Sequence, residues 1–322
     1  MTLPIASIPD GTITSARGFS SGGVFAGIKT PGADKLDIGL LVSDQPCTVA
    51  GTFSQNSVIS PTVTLTRQRV GPEKRVRAIV ANSGCANTGV GDQGLIDARD
   101  MTDLAAAKLG VTAEETLVAS TGVIGVEIPM ALMREFIPQI AVSGNGGNEY
   151  ARAILTTDKR TKEIAVSFSV DGVTHTVGGV SKGSGMIHPN MATMLAFTTT
   201  DANVDPAFLQ ETLSAAVRLT FNQIDVDGDQ STNDTVLLLA NGAAGGPEIS
   251  GGDEASEAFA EAVLQVCRHL AIEIARDGEG ATKLIEVTVE GAHSDDDALV
   301  ASRECAASLL VKTAVYGRDP NW

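Results

Sequence analysis

The stretch richest in chemistry runs from Lys182 to Leu195: Lys-Gly-Ser-Gly-Met-Ile-His-Pro-Asn-Met-Ala-Thr-Met-Leu. A loop containing Gly and Pro feeds Thr193, which heads the apolar run Met194 to Phe197. A self-cleaving enzyme with an N-terminal nucleophile needs that arrangement. The Thr193 hydroxyl attacks the carbonyl of Ala192, the peptide rearranges to an ester, and hydrolysis leaves Thr193 as a new N-terminus. Its α-amine, with an ordinary pKa of about 8, then lies beside its own hydroxyl and can serve as general base. A β-branched residue opening a strand is also commonplace, and on local pattern alone that plainer reading is the commoner one.

Thr121-Gly122 is a second candidate. A small hydroxyl residue and a glycine at a strand end can aim an O–H and a backbone N–H at one point, forming an oxyanion hole. A tight turn that needs glycine at positive φ leaves the same trace, and the sequence alone favours it. Glu279 lies between two glycines in Arg276-Asp277-Gly278-Glu279-Gly280-Ala281-Thr282-Lys283. It can reach a substrate ammonium from there, or belong to a solvated helix-end loop, with little to choose between the two. The run Asp225 to Val236 begins like a calcium loop but carries Gln230 where glycine is needed and Val236 where a bidentate Glu is needed. It reads as a polar turn bordering a cleft. In the Gly-rich run Gly178 to Gly185, Lys182 precedes Gly183, which excludes a phosphate loop.

These residues need elements to hold them. Leu36 to Ser43, Ala78 to Asn82, Thr116 to Ser120 and Thr235 to Ala240 read as strands. Ile164 to Val170 and Val173 to Val180 flank Asp171-Gly172, a hairpin signal. Asp97 to Leu109 has helical spacing closed by Gly110. Asp205-Pro206 is an N-cap with proline at the first helical position, ahead of Phe208, Leu209, Leu213 and Val217 on an inner face. Glu254 to Ala275 is the longest helical pattern and ends at Asp277-Gly278. Leu284 to Val289 alternates like a strand, and Asp297 to Val311 reads as a last helix. Strands and helices mix without a regular βαβα repeat, which predicts a layered α/β architecture.

The 322 residues carry 23 Lys+Arg against 39 Asp+Glu, a net charge of −16. That charge argues against nucleic-acid or anionic-membrane partners. Apolar residues at 43% against 19% charged describe a chain that buries a core. There is no apolar stretch of roughly eighteen residues to cross a membrane, and the start lacks the pattern of a signal peptide. Cys47, Cys85, Cys267 and Cys305 are far apart, and His175, His188, His269 and His293 form no ligand spacing. No metal site is expected, and the thiols read as reduced, mostly buried groups in a cytoplasmic protein.

Several of these stretches together resemble the ornithine acetyltransferase family, the bifunctional glutamate N-acetyltransferases of arginine biosynthesis. The likeness runs through Ser120-Thr121-Gly122-Val123-Ile124-Gly125, Thr156-Thr157-Asp158 and Lys182 to Leu195. It continues in Asp227-Gly228-Asp229 to Leu239, Arg276 to Lys283, Leu310-Val311-Lys312-Thr313 and Asp319-Pro320-Asn321-Trp322. The resemblance implies a layered αββα sandwich of self-cleaving N-terminal-nucleophile type. It implies Thr193 as nucleophile released by autolysis after Ala192, Thr121 and Gly122 as oxyanion hole, and Thr156, Lys182, Thr193 and Glu279 as substrate-binding residues. Residues 1–192 then form an α chain and 193–322 a β chain, in an α2β2 assembly. The implied reaction moves an acetyl group from N-acetylornithine to glutamate without a cofactor, with acetyl-CoA as a further candidate donor. Two other readings remain open: an autolytic aminopeptidase or amidohydrolase of the same fold, and an uncleaved chain acting only in assembly. Two departures are visible. Cys85 stands in Asn82-Ser83-Gly84-Cys85-Ala86-Asn87 where many relatives carry Asn, and the family continues past the position of Trp322 into a segment that supplies an Asn and a Thr to the site.

Overall fold

The computed structural model describes residues 4–29, 35–188 and 194–320. The strands are β1 (Ala6–Ser7), β2 (Phe19–Val24), β3 (Ile38–Phe53), β4 (Val76–Cys85), β5 (Thr116–Val123), β6 (Lys162–Val170), β7 (Val173–Lys182), β8 (Leu195–Thr200) and β9 (Thr235–Ala240). The helices are α1 (Pro61–Gln68), α2 (Gln93–Leu109), α3 (Met130–Phe136), α4 (Gly147–Ala153), α5 (Pro206–Leu219), α6 (Glu254–Arg276), α7 (Asp295–Ala307) and α8 (Leu309–Gly317).

β3 belongs to two sheets. Its first half pairs antiparallel with β2 and β4, and its second half with β9. One sheet therefore runs β1–β6–β7–β8–β9–β3 and the other β2–β3–β4–β5. The switch falls at residues 43–47, where the register with β4 shifts. Pro46 fits there because a bulge does not need its missing N–H. Arg77 donates from its guanidinium to the Ser43 and Asp44 carbonyls at 3.0–3.1 Å and fastens the bend.

The inner strands are buried on both faces, which is why they read as unbroken apolar runs. Leu237 and Leu239 of β9 face a core between the sheets, together with Leu41, Ile79, Leu117, Leu195 and Phe197. Val236 and Leu238 face the other way, onto α5 and α6. Val80 and Val118 face α2 and α3. The order helix–sheet–sheet–helix is the αββα sandwich. α6 is begun by Asp253, whose carboxylate accepts from Ser256 N, and buries Phe259, Val263, Val266, Leu270 and Ile274 along one face. Gly179 of β7 admits that helix, since a Cβ there would lie 2.5 Å from Val266 Cγ1.

Local signals are met where expected. Asp171 and Gly172 both have positive φ in the β6–β7 turn. Gly110 caps α2 in the left-handed region, and Asp205 accepts from Ala207 N and Phe208 N to start α5. Two expectations are corrected. Residues 284–289 form no strand: their exposure alternates, but no neighbouring strand offers them a ladder among the described residues. The last helix is two helices, because Ser308 leaves the helical conformation and its side chain accepts from Val311 N to begin α8. α7 and α8 bury no residue fully, and Leu309, Leu310 and Tyr316 are exposed. No described helix is long and apolar enough to cross a membrane. Cys47, Cys85 and Cys267 are buried free thiols, while Cys305 is exposed.

Candidate active site

The candidate residues gather where strands of both sheets end. Thr121 and Gly122 lie near the end of β5, in parallel register with Ser83, Gly84 and Cys85 of β4. Thr121 is buried and Gly122 reaches the surface. Gly122 has φ 133°, and a Cβ on it would lie 2.3 Å from the carbonyl carbon of Gly84. The positive φ expected of this glycine is present, and the adjoining strand is what excludes any side chain.

Lys182 ends β7 and pairs in register with Leu195 of β8. Ala192 and Thr193 lie outside the described residues, but the chain that follows them is held at both ends of one residue. Met194 N donates to Asp234 Oδ1 at 2.8 Å, and the Met194 carbonyl accepts from Thr235 N at 3.1 Å. Asp234 is fully buried, and its Oδ2 has no hydrogen-bond partner among the described residues. Burial drives its carboxyl well above the usual range, against the opposing pull of the Met194 N–H and of Lys182. The preceding Asn233 donates from Nδ2 to the carbonyls of Ala86 at 2.6 Å and Ser120 at 2.9 Å. Asn233-Asp234 therefore ties the start of β8 to the strand that carries Thr121.

Lys182 is buried, and its ammonium makes no hydrogen bond or ion pair within the described residues. Burial lowers its pKa; Asp158, Asp234 and Glu279 oppose that fall and Lys162 adds to it. Glu279 is drawn in by its backbone, whose N–H donates to the Ser184 carbonyl at 2.7 Å. Its carboxylate lies against Gly185, where a Cβ would be 2.5 Å from Oε1. Thr156 N donates to Asp158 Oδ2 at 3.0 Å. Thr156, Lys182 and Glu279 are thus joined through one polar cluster, and Thr121 and Gly122 connect to the start of β8 from the other sheet.

That cluster contains residues to which the sequence reading gave no role. Lys162 Nζ donates to Asp158 Oδ1 and Asp277 Oδ2, both at 2.7 Å, from a fully buried side chain. Burial alone would raise the Asp158 carboxyl, but Lys182, Lys162 and the Gly183 N–H outweigh it and hold it well below the usual carboxylate range. Asp158 and Asp277 stand inside stretches quoted above. Lys162 carries no local signal, because it simply opens a strand.

The polar run near Asp225 acts as a fastener. Asp227 accepts from Met186 N at 2.6 Å and Ile187 N at 2.8 Å. Asp225 pairs with His188 Nδ1 at 2.5 Å and with Lys312. A neighbouring cavity of about 570 Å³ is walled by α6, residues 282–287 and α8 and bordered by Glu279. As expected, the run Asp225 to Val236 borders a cleft through Asp225 and Val226. Thr121, Gly122, Thr156 and Lys182 are not on the cavity walls. Among the described residues no group of His, Cys, Asp or Glu could hold a metal ion.

A buried lysine and a neighbouring glutamate lie beside a strand that begins just after a candidate nucleophile, and the architecture that holds them defines the class, an αββα sandwich. The model of the ArgJ family matches residues 20–322, and the chain belongs to that family. The Arginine biosynthesis bifunctional protein ArgJ of Dehalococcoides mccartyi is 48% identical over the whole chain, which spans 79% of that protein. Its counterpart from Symbiobacterium thermophilum is 52% identical over 97% of this chain and 78% of its own. Among solved structures, ArgJ from Bacillus halodurans superposes with a TM-score of 0.55 at 35% identity, over 60% of this chain and all of that one. Ornithine acetyltransferase from Mycobacterium tuberculosis, complexed with ornithine, gives 0.52 at 30% identity, over 59% and 100%.

Proposed function

We propose that this chain is the N-acyltransferase of arginine biosynthesis that moves an acetyl group from N-acetylornithine to glutamate through an ester on Thr193. The observation that carries the reading is the convergence of Lys182, Glu279 and the Thr121-Gly122 corner on the start of β8, immediately after Thr193. Thr193 Oγ first attacks the Ala192 carbonyl carbon, the Thr193 nitrogen departs, and water hydrolyses the resulting ester. The products are a carboxylate on Ala192 and a free α-amine on Thr193. The chain is then divided into residues 1–192 and 193–322, assembling as α2β2. Residues 1–192 make up about 60% of the chain, close to the 60% and 59% of it that the two solved relatives' chains match along their full lengths.

In the transfer, the substrate carboxylate faces Lys182 and its ammonium faces Glu279. Thr193 Oγ attacks the acetyl carbonyl while Thr121 and the Gly122 N–H hold the oxyanion, and the Thr193 amine takes the hydroxyl proton. Collapse breaks the amide bond, and ornithine leaves with that proton on its amine. Glutamate then attacks the ester, takes the acetyl group and restores the Thr193 hydroxyl. Thr156 contributes to substrate binding, and acetyl-CoA can acylate the same hydroxyl. The acyl group rides on the protein, so no cofactor is required.

Intact mass spectrometry with and without N-acetylornithine tests both stages. Two fragments divided before Thr193 are expected, with one acetyl group added to the C-terminal fragment. Thr193→Ala should give one intact chain and no transfer. Cleavage or transfer that survives this substitution overturns the proposal, and release of acetate without transfer to glutamate replaces it with an amidohydrolase.

A further inference from the structure

We infer that Lys162 is a positioning residue: its ammonium occupies Asp158 and Asp277 so that Lys182 stays free for the carboxylate of an amino-acid substrate. The inference rests on the role given to Lys182 above. Lys162, Lys182, Asp277 and the side chain of Asp158 are buried together here, with Lys29, Asp234 and Glu279 as the further charges that act on them. Lys162 spends its protons inside the protein, on Asp158 and Asp277 at 2.7 Å and more weakly on the Arg160 carbonyl at 3.4 Å. Lys182 acts on Asp158 through its charge but makes no direct hydrogen bond or ion pair with it among the described residues.

The same ammonium pins three segments that are distant in sequence. Asp158 accepts from Thr156 N and Gly183 N, fixing one substrate-binding residue and the residue after another. Asp277 accepts from Lys159 N at 3.0 Å, its carbonyl accepts from Ser184 Oγ at 2.8 Å, and Glu279 follows two residues later. Without the Lys162 charge, Asp158 and Asp277 lose their hydrogen-bonded ammonium, and Lys182, whose charge already acts on Asp158, is the buried ammonium left beside Asp158. Buried ions left without partners are costly, so Lys182 turns to Asp158 and the substrate carboxylate has to compete for it.

Steady-state kinetics of the full-length protein with N-acetylornithine and glutamate test this. Lys162→Met should raise KM for N-acetylornithine about tenfold or more, with kcat changed less than about threefold. Lys162→Met/Asp158→Asn removes one charge of each sign, including the carboxylate that would capture Lys182, and should return KM to within about threefold of wild type. A folded Lys162→Met with wild-type KM overturns the inference, as does a folded double variant whose KM stays raised about tenfold. Where the single variant does not fold, the double variant decides. In the wild-type protein, dilute acetic anhydride followed by peptide mapping should modify Lys182, with protection by ornithine, and leave Lys162 untouched. Equal modification of both lysines counts against the assignment. Lys182→Met separates this inference from the reading beneath it. Wild-type KM in that variant removes Lys182 as the carboxylate's partner, whereas a raised KM there with no change in Lys162→Met removes only the role of Lys162.

Discussion

Asp158 occupies the most demanding position at the level of single residues. Its carboxylate is buried, yet it is held ionised by two lysines and by backbone N–H groups. A carboxyl whose folded pKa is depressed contributes stability that is complete above its unfolded pKa of about 3.9. That stability drains away as pH falls from there toward the folded value. Asp158→Asn should cost about 3 kcal/mol at pH 7, and thermal melts should show the gap to wild type shrinking below about pH 4. A gap that is constant from pH 7 to 3 contradicts the ionised state. Thr121, Lys182 and Glu279 could be picked out in the sequence because each sits in a short stretch of unusual composition, with small or glycine neighbours. Lys162 and Asp277 could not, since their partnership spans 115 positions and nothing near Lys162 in the chain marks it.

Elements whose cause is local were the legible ones. The Asp205-Pro206 start of α5, the Asp171-Gly172 turn and the glycine that ends α2 each depend on a few adjacent residues. β9 was legible for another reason: burial on both faces removes the polar half of the usual alternation. Leu237 faces the inter-sheet core and is fully buried, so Leu237→Ala should cost about 2–5 kcal/mol in denaturant unfolding. A loss below about 1 kcal/mol would mean that the two sheets do not pack as described. β3 was only half legible. Asp44-Gln45-Pro46 reads as a strand's end, but the strand runs on because its second half finds β9. Residues 284–289 show the opposite failure. Their alternation is real, but strand formation requires a partner backbone as well as a pattern.

For the molecule as a whole, the layered architecture follows from strands apolar on both faces, which must be covered twice. The order of strands is beyond such reasoning, because it is set by pairings between distant segments, and that order has a consequence. Residues 195–200 pair with 177–182, and residues 235–240 pair with 48–53. Everything after position 193 that enters this sheet is therefore wedged between two stretches that come before it. Severing the backbone ahead of Thr193 would leave the halves dovetailed, each gripped along two flanks. Cleaved protein should elute from a native sizing column as one species and come apart only in denaturant; a free half in the native eluate would contradict the wedge. Scission at that point can release a reactive terminus while costing the scaffold nothing but a single covalent link.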